Sequence, residues 1–435
     1  MVTENNSKNP QEKKELCSIV AAVDKFLARA WGIEYITKSF VPQAEQVYTK
    51  EVDREMSTFI KAASLLKEHP NHLGLLTKTI LHSLQEVERL QNSHIVETMR
   101  TGLFLSLFTF FEAFVGDLLC CLYMLKPDLF EALNRQLPFH EVLKCNDMES
   151  LRKMVLSKEI DAFRRQSYLE QFEDLEKRFK LRLRSFENWP EFVECSQRRN
   201  ILAHCDGIVT DQYLQICSTV KYRFEQPVKL GDKLLADNIY IQKKIDLLRE
   251  VSIKLAQTLW RKVIPNDMEN ADKHLIKTTY DFLSLENHEI AITIGEFGRA
   301  LPRHASDTNK HMLLINTVIA MKLSGRNDNA QKLLESVDWS DKSYDFRLAR
   351  AVLFEKFDDA ADLMRRIGKE GDHIEQVAYS SWPLFKQFRQ TEKFIQAYKD
   401  VYGCEFSDEL QRIAESKKNE SETKKLDSTE SNEKK

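Results

Sequence analysis

Glycine and proline are scarce in this chain, and their scarcity limits its fold more than any other feature. The sequence has 12 glycines and 10 prolines among 435 residues, about 5% of the chain, where ordinary usage is roughly 12%. Parallel sheets and β-sandwiches need many Gly and Pro turns. We therefore predict an all-α protein, and the sequence contains no glycine-rich phosphate loop.

Composition and charge further restrict the class of protein. Apolar residues make up 42% of the chain, which is typical of a globular protein. The 64 Lys and Arg nearly balance the 67 Asp and Glu, so the protein is not basic throughout, as a bulk nucleic-acid coat would be. A local basic patch is still compatible with this balance. At about 100–200 residues per domain, the length predicts two or three domains.

Targeting features favour the cytoplasm. The N-terminus is polar and lacks the apolar core of a signal peptide, and the eight cysteines show no CxxC pairing, which is typical of reduced thiols. The stretch 103–125 is apolar enough to cross a membrane, but Glu112 and Asp117 lie near its middle. Each acid there would cost about 2.5–3.5 kcal/mol. We interpret it as a buried core helix and expect a cytoplasmic protein with no membrane partner.

Helical periodicity and the positions of the breakers divide the chain into four segments. Residues 1–39 are a polar leader and a helix, and residues 40–265 read as a bundle of long amphipathic helices. A Pro-Asn-Asp turn follows, and residues 266–414 change to short helical hairpins. The last segment, 415–435, has six acidic and six basic residues and almost no apolar ones. We predict that this tail is disordered.

The hairpin segment carries a loose repeat. Ala330 and Ala360 occupy matching places 30 residues apart, and Ala291 lies 39 residues before Ala330. A further step of 31 residues leads from Leu353 to Leu384. Such spacing resembles a degenerate tetratricopeptide-like array, whose usual period is about 34 residues. The alternative is an ordinary α-helical domain without repeat symmetry.

The strongest candidate site is the sequence QRRNILAHCDGIV at 197–209. Asn200 and His204 are four residues apart and share a helical face, and the long side chain of Arg199 can reach the same face. A guanidinium can hold a phosphate, and histidine exchanges protons near neutral pH. Arg198 is also within reach of His204, so the working arginine is left open.

The bare spacing of this pattern is common. An arginine five residues before a histidine occurs four times in the chain. Only the pair at 199 and 204 combines a polar residue after the arginine, an apolar spacer and a helix that ends at a glycine. The local string is therefore a more specific signal than the spacing.

That string, SQRRNILAHCDGIVTDQYL, resembles members of the HEPN superfamily (higher eukaryotes and prokaryotes nucleotide-binding domains) from bacterial toxin and anti-phage systems. The aromatic helix around Glu112 also fits the family. The resemblance covers roughly 40–265. It implies a helical bundle that cleaves RNA without a metal or other cofactor. It also implies a homodimer in which two motifs face each other across one RNA-cleaving cleft.

The resemblance also implies roles for the motif residues. His204 would move a proton, Arg199 would bind the scissile phosphate, and Asn200 would orient His204 or the phosphate. Glu112 would either hydrogen-bond a motif residue or form a helix–helix salt bridge. Some family members carry a tyrosine two residues after the histidine, which a partner nucleotidyltransferase modifies. This chain has Asp206 there, so that regulation is not expected.

A basic run, EKRFKLRLR at 176–184, lies just upstream of the motif. It either steers RNA electrostatically or forms a solvated helix face. The residues concerned are Lys177, Arg178, Lys180, Arg182 and Arg184.

Three functions follow from these observations. The leading hypothesis is a toxin or anti-phage endoribonuclease whose helical array binds a protein regulator or antitoxin. The alternative is a catalytically silent bundle joined to a repeat scaffold for protein–protein interaction. A third hypothesis places a nucleotide or small ligand in the same cleft without turnover of RNA.

Overall fold

A computed structural model describes residues 18–68, 73–133 and 136–416. These ranges consist of helices and connecting turns without a β-strand, so the all-α prediction is confirmed. An isolated β-bridge joins Ile208 and Lys233. The chain divides into two compact units, Met1–Asp267 and Met268–Lys435. The predicted boundary between 265 and 266 lies two residues from this division.

The first unit is a bundle of helices of very different length. Two 3₁₀ turns, Pro127–Ala132 and Pro265–Asp267, accompany them. The helices are α1 (Ile19–Ser39), α2 (Val41–Glu68), α3 (Leu73–Asn92), α4 (Ile95–Leu125), α5 (Phe139–Val142), α6 (Met148–Arg164), α7 (Tyr168–Phe179), α8 (Trp189–His204), α9 (Asp211–Thr219) and α10 (Asn238–Val263).

Helix α4 is the centre of this bundle because its phenylalanines contact several neighbouring helices. The ring of Phe111 lies 5.9 Å from Phe26 on α1 and 5.7 Å from Phe192 on α8. Phe104 lies 5.6 Å from Tyr240 on α10. The four phenylalanines are buried, and Tyr240 is half-buried. The bundle therefore includes α1, which the sequence analysis assigns to a separate N-terminal segment.

Among the described residues, the stretch 73–125 is long and apolar enough to cross a membrane by length and composition. It combines α3 and α4. Half of its most apolar window is buried, and twelve residues of α4 lie in the bundle core. This burial fits a core helix, as the acidic residues within α4 indicate.

The second unit contains α11 (Met268–Ser284), α12 (His288–Arg299), α13 (Asp307–Leu323), α14 (Asn327–Glu335), α15 (Tyr344–Leu353), α16 (Phe357–Ile367), α17 (Gln376–Ser381) and α18 (Glu392–Tyr402). Residues 406–416 are also helical. The predicted disordered tail therefore falls outside the described residues except at 415 and 416, and so does the leader up to residue 17.

Three tight turns in this unit have the same backbone geometry. Their central residues, Glu286, Gly325 and Glu355, have φ of 59°, 80° and 60°, in the left-handed region. The next residue donates its N–H to the carbonyl five residues back. These bonds join Asn287 to Phe282, Arg326 to Met321 and Lys356 to Ala351, at 2.9, 2.8 and 2.9 Å.

The turns are 39 and 30 residues apart, as in the sequence repeat. A buried alanine follows each turn at the same offset: Ala291, Ala330 and Ala360. The predicted hairpin array is thus present as the pairs α11–α12, α13–α14 and α15–α16. The further step to Leu384 does not give a hairpin, because Pro383–Phe385 and Phe388–Gln390 are 3₁₀ turns. The tetratricopeptide resemblance itself stays a prediction.

Candidate active site

Helix α8 carries the motif and ends at its histidine. Pro190 stands at the start of the helix, where it costs no backbone hydrogen bond. At the other end, the N–H groups of Cys205 and Gly207 both donate to the carbonyl of Ile201, at 2.8 and 3.0 Å. His204 is the last helical residue, and its side chain is exposed to solvent.

The chain then turns back and is held by a second loop. Gly207 has φ 78°, and its carbonyl accepts a 2.8 Å bond from the N–H of Leu234. A Cβ at this glycine would lie 2.5 Å from the Leu234 carbonyl oxygen, so only glycine fits. Lys233 on the same loop lies 3.0 Å from Glu97 on α4 and 3.6 Å from Asp206. These contacts fix the end of α8 against α4.

Arg199 is bound by the carboxylate of Glu112 across the α4–α8 contact. Its Nη2 lies 2.8 Å from Glu112 Oε1, and its Nη1 donates to Asn200 Oδ1 at 3.1 Å. The side chains of Arg199 and Glu112 are 27% and 30% exposed. The two expectations for Glu112, a bond to a motif residue and a helix–helix salt bridge, describe this same contact.

A buried tyrosine completes this group. The hydroxyl of Tyr168, at the start of α7, donates to the same Glu112 oxygen at 2.8 Å. Burial of the ring and the negative charge of Glu112 raise the pKa of Tyr168 well above its ordinary value. The hydroxyl therefore remains a donor at physiological pH. Together, Tyr168 and Glu112 orient the Arg199 guanidinium from the side of the core.

Arg199 keeps hydrogen-bonding capacity for a ligand. A guanidinium has five N–H donors, and two of them serve Glu112 and Asn200. The side chain of His204 forms no hydrogen bond or ion pair with any described residue, so neither ring nitrogen is engaged by the described part of the chain. The motif thus offers an anion-binding group and a proton-exchanging group on the C-terminal half of one helix.

Arg198 lies on a different face of α8 and belongs to a buried polar cluster. Its Nε donates to Glu194 Oε1 at 2.8 Å, and its guanidinium lies 4.2 Å from the ring centre of Tyr240. Glu194 is completely buried and also accepts the hydroxyls of Tyr213 and Tyr240, at 2.8 and 2.9 Å. Arg198 therefore holds the helix in place, and Arg199 is the arginine that faces solvent with spare donors.

The basic run is largely neutralised. Arg178 lies 2.5 Å from Glu159 and 2.7 Å from Asp174, Arg184 lies 2.8 Å from Glu176, and Lys177 lies 2.7 Å from Glu173. Lys180 and Arg182 are exposed, and neither forms an ion pair with a residue in the described ranges. Of the five candidates for RNA binding, these two present uncompensated charge.

The sequence does not predict two features of the site. Tyr168 follows Ser167, whose capping box with Glu170 starts α7; the pattern Ser-x-x-Glu signals that helix start. That pattern does not show that the tyrosine points to α4. The buried cluster around Glu194 carries no local signal either, since Tyr240 and Lys244 come from the distant helix α10.

No protein-family model matches the chain, and no curated protein or solved structure matches it. The resemblance to the HEPN superfamily therefore stays a prediction based on the motif.

Proposed function

We propose that the protein is a metal-independent endoribonuclease of the HEPN type, acting as a toxin or anti-phage defence effector in the cytoplasm. The observation that supports this is the arrangement around Arg199. Its guanidinium is oriented by Glu112 and keeps unused donors, and Arg199 precedes the exposed His204 by five residues on the same helix. An anion-binding arginine and an available imidazole suit phosphoryl chemistry on RNA.

RNA supplies its own nucleophile in this reaction. The ribose 2′-oxygen bonds to phosphorus, the bond from phosphorus to the 5′-oxygen breaks, and a 2′,3′-cyclic phosphate and a 5′-hydroxyl result. The proton lost by the 2′-OH goes to an imidazole, and the leaving 5′-oxygen receives one. Arg199 stabilises the charge that develops on the phosphate oxygens.

One histidine cannot hold both protonation states at once. We infer that two chains pair as a homodimer, so that His204 of one chain accepts a proton while His204 of the other donates one. Lys180 and Arg182 would attract the RNA backbone toward this composite cleft. The helical array of the second unit would bind a protein regulator or antitoxin.

The test is cleavage of total RNA by purified protein with divalent metal chelated. His204→Ala should lower the rate about 10²–10⁴-fold, because it removes the proton-exchanging group, and Arg199→Ala should also abolish most cleavage. His82→Ala is the matched control, since His82 is an exposed histidine on α3. Fragments should end in a cyclic phosphate and a 5′-hydroxyl. Cleavage that persists in both motif variants contradicts the mechanism.

The dimer is tested separately by light scattering of the full chain alongside activity at each dilution. Activity should fall as dimers dissociate. A monomer with full specific activity contradicts the composite cleft but leaves the roles of the motif residues intact.

A second candidate, a catalytically silent scaffold for protein–protein interaction, has an observation of its own. Three of the five basic residues upstream of the motif are ion-paired, which leaves little charge for RNA. Absence of RNA cleavage and of RNA retention by the wild-type chain would favour this function.

A further inference from the structure

A cavity of about 540 Å³ in the second unit is lined by an unusual number of cationic side chains. It lies among the loop 337–340, helix α15 and helix α16. Arg347 and Arg350 come from α15, Lys356 precedes α16, and Arg366 stands near the end of that helix. Within the described ranges, none of these four side chains forms an ion pair or hydrogen bond. The two helices of this hairpin and the turn between them thus place four cations, three of them exposed to solvent, around one concavity.

Three carboxylates also line the cavity, and two have partners of their own. Asp338 accepts the N–H of Ser340 at 2.9 Å, and Asp362 lies 3.1 Å from Arg365. Asp359 is exposed on the first turn of α16. The cavity therefore has four cations and three carboxylates, and the side-chain N–H donors of the cations have no hydrogen-bonded acceptor in the described chain. A ligand with several anionic oxygens would satisfy them.

The two arginines of α15 each lie beside an aromatic ring. The guanidinium of Arg347 lies 5.3 Å from the ring centre of Tyr344, and that of Arg350 lies 5.0 Å from Phe354. Contact with an aromatic ring occupies the flat face of a guanidinium and leaves its N–H edge free. These contacts use none of the hydrogen-bond donors of the two arginines.

The cavity offers no free aromatic face for a nucleobase. Trp339 lines it but is buried, and its indole N–H donates to the carbonyl of Leu334 at 2.8 Å. Its ring lies 5.7 Å from His311 and 6.4 Å from Phe346. Recognition by charge alone is therefore expected.

We propose that this cavity binds a polyphosphate group of nucleotide size without distinguishing the base. The volume lies within the range of small-ligand sites, about 300–1,000 Å³. A nucleoside triphosphate and an inorganic polyphosphate share the required chemistry. This inference goes beyond the proposed ribonuclease, because it gives the second unit a ligand of its own.

Isothermal titration of the full chain carrying His204→Ala tests the proposal without turnover of RNA. The probes are ATP, GTP, tripolyphosphate and adenosine at low salt. The three phosphate compounds should bind with affinities within about threefold of one another, and adenosine should not bind. Failure of all three to bind overturns the proposal, and so does adenosine binding as tightly as ATP.

Variants locate the site. Arg350→Gln with Arg366→Gln should weaken tripolyphosphate binding at least tenfold. Lys310→Gln with Lys332→Gln is the matched control, because these two exposed lysines on α13 and α14 lie outside the cavity lining; it should change affinity less than twofold. Equal losses of affinity in the control contradict a built site.

If the double variant does not melt at the same temperature as the parent, Lys356→Gln, at an exposed residue, replaces it. A loss of affinity of at least threefold is then expected. Unchanged affinity in that variant contradicts the proposal.

Discussion

Glu112 is the residue on which the orientation of the motif depends. One of its oxygens accepts hydrogen bonds from Arg199 and Tyr168, both at 2.8 Å. A carboxylate with two donors on one oxygen is fixed in direction, so the guanidinium is held before any substrate arrives. This arrangement lowers the conformational cost of binding a phosphate.

The tyrosine contribution is measurable. Tyr168→Phe should lower the free energy of unfolding by about 1–2 kcal/mol, because a buried hydrogen bond to a charged group is lost. Urea denaturation measures it, with Tyr48→Phe as the control, since the hydroxyl of Tyr48 has no hydrogen bond to a described residue. The effect should shrink in a Glu112→Gln background. An equal loss in both backgrounds would show that the charge of Glu112 does not strengthen this bond.

For single residues, the sequence predicts only the contacts between residues that are close together along the chain. The motif residues share one helix, so the spacing of Arg199, Asn200 and His204 is enough to predict that they lie close together. Tyr168 reaches Glu112 from 56 residues away in sequence. Such a contact depends on helix packing, and a single sequence carries no local trace of it.

Among the elements, the turn after α8 decides where His204 stands. Gly207 and Gly231 both have positive φ, at 78° and 86°, but only Gly207 lies against a carbonyl. The return loop can be tight there because the residue has no side chain.

This difference gives a matched pair of substitutions. Gly207→Ala should destabilise the first unit by about 2–4 kcal/mol, from backbone strain and the clash with Leu234. Gly231→Ala meets no atom within 4 Å and should cost only about 1 kcal/mol. Thermal or urea unfolding compares them. If Gly231→Ala costs as much as Gly207→Ala, the close approach is not the cause.

The sequence predicts a helix end where a capping residue or a proline marks it. Helix α10 spans Asn238–Val263, the same bounds as its amphipathic pattern, with Asp237 as the N-cap and Pro265 beyond its end. The break between α3 and α4 was missed. The amphipathic periodicity of residues 75–99 predicts one helix there, but His94 adopts φ 46° and starts a new helix. No glycine or proline marks that place.

The first unit as a whole is tied together by an ion pair between its first and last long helices. Arg249 on α10 is 2% exposed and donates to Glu34 on α1 at 2.6 Å. Burial raises the pKa of Glu34, but Lys38 and Arg249 outweigh it, and the pKa lies below its ordinary value. The two residues are 215 positions apart in sequence, so no pattern predicts the pair.

The sign of the pH dependence follows from this lowered pKa. The stabilisation by the Glu34–Arg249 ion pair is complete above the ordinary pKa of a carboxylate. It is lost as the pH falls through the lowered pKa of Glu34. Glu34→Gln should cost about 2–3 kcal/mol at pH 7, because Arg249 loses one charged hydrogen-bond partner and keeps another, Asp246, at 3.0 Å.

Unfolding as a function of pH checks this. The variant should lose less stability than the wild type between about pH 5 and pH 3. Asp117→Asn is the control, since its ion pair with Lys25 also joins α1 to the bundle but is half exposed; it should cost at most about 1 kcal/mol. Parallel pH curves for wild type and Glu34→Gln would contradict the assignment.

The spacing of the repeated turns in the second unit indicates how helices in such an array can differ in length. Between the first two turns lie α12, with 12 residues, and α13, with 17; between the next two lie α14, with 9, and α15, with 10. The differences of three and seven residues are close to one and two turns of an α-helix, at 3.6 residues each. Growth by whole turns keeps the buried face of each helix in phase. Proteins descended from a common ancestor with this one should therefore share the left-handed turn and the alanine five residues after it, whereas the interval between turns is free to vary.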